Sequence, residues 1–546
     1  MKMTKKTIIV LLCITFLALL LRMINLQDNI LFAYDQARDA QRIYSMVYKG
    51  DIKIVGPETD IQGIFNGPLL YYFLAPIYFF SNFNPNTAAF FFVLINVGTL
   101  FLVYWAAKLL FKKESIALLA SLFWAISYEQ GFFARYISNA SPMSTTTTLF
   151  FIGLALFFLK KKQWGLPLSA VGISLAIHCN FYFIYLFLFY PLFFFIFKQK
   201  PTIKTIFITL GFLGIFLSPW IITELKWKFI GIRSLFAYFI HQGTTAVTVN
   251  PLFYIPSIFI RYYDRISQGI YFSFIPSKII GFIVVALAAI YISIKKKSSA
   301  GVFLILWLLN TLPLFAFKSG VHSVEVINGS VFVPLTILFA WGLIELSKIK
   351  KYHIHLMSIL CICGIVGYGI YTYTVNGFIP HSLHTGAPSL LKNAKEAIDY
   401  TYLEAGKKDF AICSISEPLF FNTVWSFLYS TYGKQKYGYL PYWTGQKQTF
   451  NESFIPYAQK KYEMKFIIRE PMQGIPEHAV VCTRYIEDTY NKYVSDRDFG
   501  SYNVQERRIV KGYENINLIK YTRNQREAIE ESISLVPQFS CDNIHE

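Results

Sequence analysis

The stretch Tyr34-Asp35-Gln36-Ala37-Arg38-Asp39-Ala40 sets two carboxylates and a guanidinium just past the first apolar segment of a chain that otherwise hides its charges. Ionisable residues held at membrane level are expensive, so function is their default reading. Arg135 stands four positions before Asn139. Lys318 and His322 share a later turn with Glu325, and His178 ends a short apolar run. Carboxylates at one point and cations at several others suit transfer of a group from a lipid-phosphate donor to an acceptor hydroxyl. Asp35, or Asp39, can take the hydroxyl proton as general base. Arg38, Arg135, Lys318 and His322 can hold the phosphate as it leaves with growing negative charge. Plainer roles compete. Asp35 stands where it would cap an interfacial helix over 36–49, with Arg38 and Asp39 on the wet face. Arg135 and Lys318 suit interfacial anchors at span ends, and Arg22 can snorkel from the first segment. His178 suits a hydrogen-bonded packing role rather than a metal site.

The elements that must position these residues follow from hydropathy. Residues 7–26 form a mostly apolar run behind Lys2, Lys5 and Lys6, long enough to cross hydrocarbon. No small-residue cleavage site follows, so a retained anchor with its N-terminus inside is expected. Further spans are expected over 88–110, 116–132, 142–159, 164–178, 181–197, 203–223, 279–294, 302–317, 327–346 and 354–373. Every dense lysine run (112–113, 160–162, 198–200, 295–297, 348–351) then falls on one side, as the positive-inside rule requires.

The expectation is a polytopic α-helical membrane protein of about 11 transmembrane helices. Residues 1–375 form its membrane domain, with outer loops over 27–87 and 224–276. Residues 376–546 form an extracytoplasmic mixed α/β domain. Within that tail, 409–413 and 464–468 read as strands, and 419–432 and 484–494 as helices. The stretch 437–445 is a dense aromatic patch, suited either to stacking on a sugar or to an ordinary core.

Composition agrees. The 546 residues are 54% hydrophobic and 18% aromatic, with only 15% charged, against roughly 25% in an average soluble chain. Mean hydropathy is +0.41. The net charge of +19 lies in short runs between apolar segments, the pattern of cytoplasmic loops rather than of a nucleic-acid-binding stripe. Nucleic acid is excluded as a partner on that ground. The seven cysteines lack metal-ligand spacing. Cys413, Cys482 and Cys541 fall in the tail, where one pair would suit a disulfide outside the cell.

These residues carry a family resemblance. Asp35-x-x-Arg38-Asp39 after the first span, Asn66-Gly67-Pro68-Leu69-Leu70-Tyr71-Tyr72, Arg135-x-x-x-Asn139, His178, and Ser218-Pro219-Trp220 leading to Glu224 all take part. Over roughly its first 350 residues the chain resembles membrane glycosyltransferases of the C-type (GT-C) fold. Within them it is similar to the bacterial and archaeal group of protein O-mannosyltransferases and lipid A aminoarabinose transferases. The resemblance implies a polyprenyl-phosphate-linked sugar donor, an extracytoplasmic site and inversion at the anomeric carbon. It gives Asp35 the role of base or acceptor orienter and makes Arg38 a phosphate or carboxylate partner. Tyr34, Asn66, Tyr71, Asn139, His178 and Glu224 would line the substrate cavity.

The chain departs from the family twice. Relatives often carry a cation where Asn66 stands, which leaves Lys318 or Arg135 for the phosphate. Some carry an acid where Asn139 stands, so a second carboxylate would have to be Asp39. Metal use varies in the family, so a divalent metal stays open as a cofactor. The acceptor is a protein, glycolipid or cell-wall polymer. Two other functions fit such a chain less well. A lipid or sugar transporter or flippase would place charge in mid-span and show inverted repeats. An oligosaccharyltransferase would carry Trp-Trp-Asp-Tyr-Gly in its tail.

Overall fold

The computed structural model describes residues 3–510, except 60, 245–250, 297–298, 317–323, 350–351, 376–388, 449–452, 459–461, 472–479, 481–482, 485–486 and 489. The chain divides into two compact units. The first comprises Met1–Leu26, Asp51–Leu74 and Ala88–Leu383. The second comprises Gln27–Gly50, Ala75–Thr87 and His384–Glu546. The second unit thus contains more than the tail, because the part of the first outer loop that carries Asp35 folds with it.

The helices run α1 (Lys5–Met23), α2 (Tyr34–Lys49), α3 (Leu69–Phe80), α4 (Pro85–Phe111), α5 (Glu114–Ile126), α6 (Tyr128–Phe133), α7 (Met143–Phe158), α8 (Gly165–Cys179) and α9 (Phe189–Phe197). They continue with α10 (Ile203–Lys226), α11 (Ile230–Thr244), α12 (Pro251–Ser273), α13 (Lys278–Lys296), α14 (Ser299–Leu308), α15 (Val324–Leu346) and α16 (Tyr352–Val375). The expected segments fall on apolar helices, but 116–132 is broken at Ser127, and 181–197 and 302–317 are in part 3-10 helix over Phe181–Leu188 and Leu312–Ala316. Among the described residues five helices are long and apolar enough to cross a membrane alone, and a sixth span forms if the bent pair Pro256–Ser273 and Lys278–Ile292 counts as one. The chain is a multi-pass membrane protein. Residues 224–276, expected as a loop, are largely helical: α11 and α12 fill most of them.

Two arginines tie helix ends together in the first unit. The last carbonyls of a helix have no partner within it. Arg135 answers this for α1: its Nε donates to Arg22 O at 3.0 Å, and its Nη2 to Leu21 O and Ile24 O at 2.9 and 2.8 Å. Arg22 does the same for α5, donating to Trp124 O and Ala125 O and also to the Asn96 side chain. Both guanidiniums are buried, so neither snorkels. Helices α7 and α8 pack closely because Gly172 lacks a side chain. A Cβ there would meet Phe150 N at 2.3 Å, the small-residue contact typical of membrane helix pairs.

The second unit holds a five-stranded sheet of order β2-β1-β3-β5-β4. Its strands are β1 (Phe410–Ile415), β2 (Tyr442–Trp443), β3 (Met464–Arg469), β4 (Lys492–Phe499) and β5 (Tyr502–Arg508). β1 pairs in parallel with β2 and β3, and β5 runs antiparallel to β3 and β4. The inner strand β1, paired on both edges, is buried throughout, as parallel strands covered on both faces are. Helix α17 (Leu391–Ala405) packs on this sheet, and α18 (Thr423–Leu428) and α19 (Lys434–Tyr437) lie on the crossover from β1 to β2.

Both expected strands are present. The helix expected over 419–432 starts only at Thr423 and passes into a π turn at Tyr429–Gly433. The helix expected over 484–494 runs into β4 at Lys492. Within the aromatic patch, Trp443 is buried and belongs to the core, whereas Tyr437 is half-buried and stacks on Tyr402 with centroids 4.2 Å apart. Cys413 is buried and has no disulfide partner among the described residues; Cys482 and Cys541 lie outside them.

Candidate functional site

Helix α2 begins after Ala33, whose N–H donates to Gln36 Oε1 at 3.0 Å. Gln36, not Asp35, therefore holds the start of the helix. Asp35 lies inside the first turn, and its side chain is 61% exposed. From Gln36 to Gln41 every residue is buried. Arg38 and Asp39 thus do not form a wet face, and α2 is embedded at its motif with Asp35 presented outward.

One guanidinium organises both carboxylates. Arg38 Nη1 donates to Asp35 Oδ1 at 2.7 Å, and Arg38 Nε donates to Asp39 Oδ1 at 3.0 Å. The Arg38 guanidinium also lies 5.7 Å from the centroid of the Tyr34 ring. Burial pushes the Asp39 carboxyl above the ordinary carboxylate range, and the Arg38 charge opposes that rise. The two acids thus differ: Asp35 is open to solvent, whereas Asp39 is an interior brace for Arg38. Among the described residues no three His, Cys, Asp or Glu side chains gather as a metal ion would need.

The first unit assembles a second set of expected residues. Asn66 Oδ1 accepts from Phe181 N at 2.9 Å, and Gly67 N donates to His178 O at 3.2 Å. The His178 ring bonds through Nε2 to Phe216 O at 2.8 Å and packs on Trp220. Trp220 Nε1 donates to Phe65 O at 3.1 Å. Asn139 Nδ2 donates to Cys179 O. Asn66, Asn139 and His178 thus converge on the C-terminal end of α8, where Phe65, Asn66 and Gly67 of the 56–67 loop are pinned. Tyr71 is buried in the first turn of α3. Glu224, in the last turn of α10, accepts from Ile232 N at 3.2 Å in the first turn of α11, where a helix dipole favours an anion.

Beside this loop lies a cavity of about 630 Å³, lined by Phe65, Ile177, Phe181, Leu217, Trp220 and Glu224 among others. Its wall is almost wholly apolar. Arg135 caps α1 through its Nε and Nη2, which bond the carbonyls of Leu21, Arg22 and Ile24. Lys318 and His322 lie outside the described residues. Sequence reasoning passed over Glu129, a buried carboxylate on α6, because hydropathy ran that segment straight through as one span. The break is marked by Ser127, whose hydroxyl accepts from Gln130 N as an N-cap.

No protein-family model matches this chain, and no curated protein matches it. Solved structures do. ArnT from Cupriavidus metallidurans bound to undecaprenyl phosphate superposes with a TM-score of 0.53 at 12% identity, covering 91% of this chain and 97% of that one. The same enzyme in the apo state gives 0.50 at 11% identity over the same shares. The fold is that of the C-type membrane glycosyltransferases. An archaeal oligosaccharyltransferase, AglB from Archaeoglobus fulgidus in complex with an inhibitory peptide and a dolichol-phosphate, also matches, with a TM-score of 0.47 at 11% identity over 92% of this chain and 74% of that one.

Proposed function

We propose that this chain is an integral membrane glycosyltransferase. It moves a single sugar from a polyprenyl-phosphate donor to an acceptor hydroxyl on the extracytoplasmic face, with inversion at the anomeric carbon. The observation that carries the reading is Asp35, an exposed carboxylate fixed by Arg38 on a buried helix directly after the first span of a C-type fold. As the acceptor oxygen attacks the anomeric carbon, Asp35 takes its proton. The bond from that carbon to the phosphate oxygen breaks on the opposite side, and polyprenyl phosphate departs with the electron pair. Arg38 keeps Asp35 oriented, and Asp39 fixes Arg38 from within. Lys318 and His322 are the candidates for the phosphate.

Two further observations support the donor class. The apolar cavity against the 56–67 loop suits part of a polyprenyl chain, and ArnT of the same fold was solved with undecaprenyl phosphate. The lysine runs support a cytoplasmic N-terminus and an outer site. The acceptor classes are protein hydroxyls, glycolipid and cell-wall polymer.

The test supplies purified protein with a panel of undecaprenyl-phosphate-linked ¹⁴C-hexoses and ¹⁴C-pentoses, together with membranes from a strain deleted for this chain. Label moving into the membrane fraction, with stoichiometric release of undecaprenyl phosphate, is expected for one donor. Uptake of donor into vesicles without any covalent transfer would instead identify a transporter.

A further inference from the structure

The segment that leaves β1 runs Ser416-Glu417-Pro418-Leu419-Phe420-Phe421-Asn422 into α18, and it is fixed from several sides. Ser414 Oγ and Ser416 Oγ both donate to Phe421 O, at 3.2 and 2.6 Å. Gln448 Nε2 donates to Phe420 O at 3.2 Å, and Gln448 Oε1 accepts from Asn422 N at 3.0 Å. Glu470 Oε2 accepts from Glu417 N at 3.3 Å, while Glu470 N donates to Ile415 O. Phe420 is held at φ 63°, a left-handed conformation that a bulky residue keeps only where its surroundings over-determine it.

This braced segment meets the motif helix on both sides of Asp35. Phe421 packs edge-on against Tyr34, with centroids 5.9 Å apart at 79°. Thr423 O accepts from Gln41 Nε2 at 3.2 Å, inside a buried surface. Upstream of α2 the same union continues: Phe32 stacks on Phe427, and Phe32 N and Leu391 N exchange bonds with Ser389 O and Ile30 O. Asp35 is itself exposed, and apart from Arg38 its position is set by the backbone of α2.

The geometry points to residues 416–423 as a seat that positions the motif helix, with Phe421 and Gln41 as positioning residues for Asp35. This rests on the reading of Asp35 as the base. It gives the soluble part of the chain a role in the transfer step beyond whatever acceptor it meets. A catalytic group must be held to a fraction of an ångström by residues that are themselves locked, and a misplacement of ~1 Å costs up to ~100-fold in rate.

The experiment uses the full-length protein in lipid nanodiscs, with the undecaprenyl-phosphate-linked sugar that the panel above identifies. Gln41→Met and Phe421→Ala are each expected to lower kcat about 10-fold with the donor KM unchanged, and Phe421→Tyr to restore it. Hydrogen exchange should quicken at the amides of 36–41 and stay unchanged along α17. Unchanged exchange at 36–41 in both variants would overturn the seat. So would loss of protection spread through α17 and β1, which marks a folding defect. The exchange readout needs no turnover. Faster exchange at 36–41 together with an undiminished rate in Asp35→Asn would therefore overturn the catalytic reading while leaving the seat standing.

Discussion

Two carboxylates four positions apart on one helix do different work because their surroundings differ. Asp35 reaches solvent and shares Arg38 with Asp39, whose own carboxyl burial drives upward. A third acid, Glu470 in the second unit, carries a measurable consequence. Burial pushes its pKa up to about 8, with the Glu417 N–H it accepts pulling the other way. Unfolded, it returns to the ordinary value near 4.3. The folded state therefore holds this proton the more tightly. That contribution to stability is complete below the unfolded pKa and is lost as pH rises through about 8. The melting temperature of the whole protein should fall between pH 5 and pH 9, and Glu470→Gln should flatten that fall. Equal pH slopes in the two proteins would contradict this.

The same scale explains what could be foreseen from residues alone. The motif Asp35-x-x-Arg38-Asp39 was legible because charge is conspicuous in an apolar chain. The capping role was not, since Asp35 and Gln36 both suit a helix start and only the Ala33 N–H decides between them. Arg22 and Arg135 looked like snorkelling anchors because the carbonyls they satisfy belong to helix ends distant in sequence, which local pattern cannot bring together.

At the scale of elements, long apolar runs declared themselves as helix, with the break at Ser127 hidden inside one of them. Residues 224–276 did not. Arg233, Arg261, Asp264 and Arg265 break their hydropathy, although α11 and α12 carry them as helix. The Asn66-Gly67 turn shows why a small residue stands where it does. A Cβ on Gly67 would lie 1.9 Å from His178 Nδ1 and 2.6 Å from the Trp220 ring. Gly67→Ala should therefore destabilise the protein by about 1–3 kcal/mol, the usual cost of overpacking, read as a lowered melting temperature. Gly98→Ala on α4, where a Cβ meets nothing within 4 Å, should leave it unchanged or raise it. Equal melting temperatures for the two variants would refute the tight seat of this turn.

At the scale of the whole molecule, hydropathy and lysine placement were enough for the class, while the division into units was not. The chain breaks not at a single point near 375 but into interleaved segments, because residues 27–50 carry the motif and fold with the tail. Sequence order hides that, since Phe32 and Ser389 are bonded across more than 350 positions. One consequence is that the motif helix and the 416–423 segment against it belong to one compact unit, so removal of the tail should disturb Asp35. The central claim is that this unit presents the base for sugar transfer from a lipid phosphate. Its most direct test is the initial rate of undecaprenyl phosphate release from the labelled donor by wild type and Asp35→Asn at equal folded concentration. Loss of the base should lower that rate by about 10²–10⁴-fold with the melting temperature unchanged; an undiminished rate in Asp35→Asn would contradict the account.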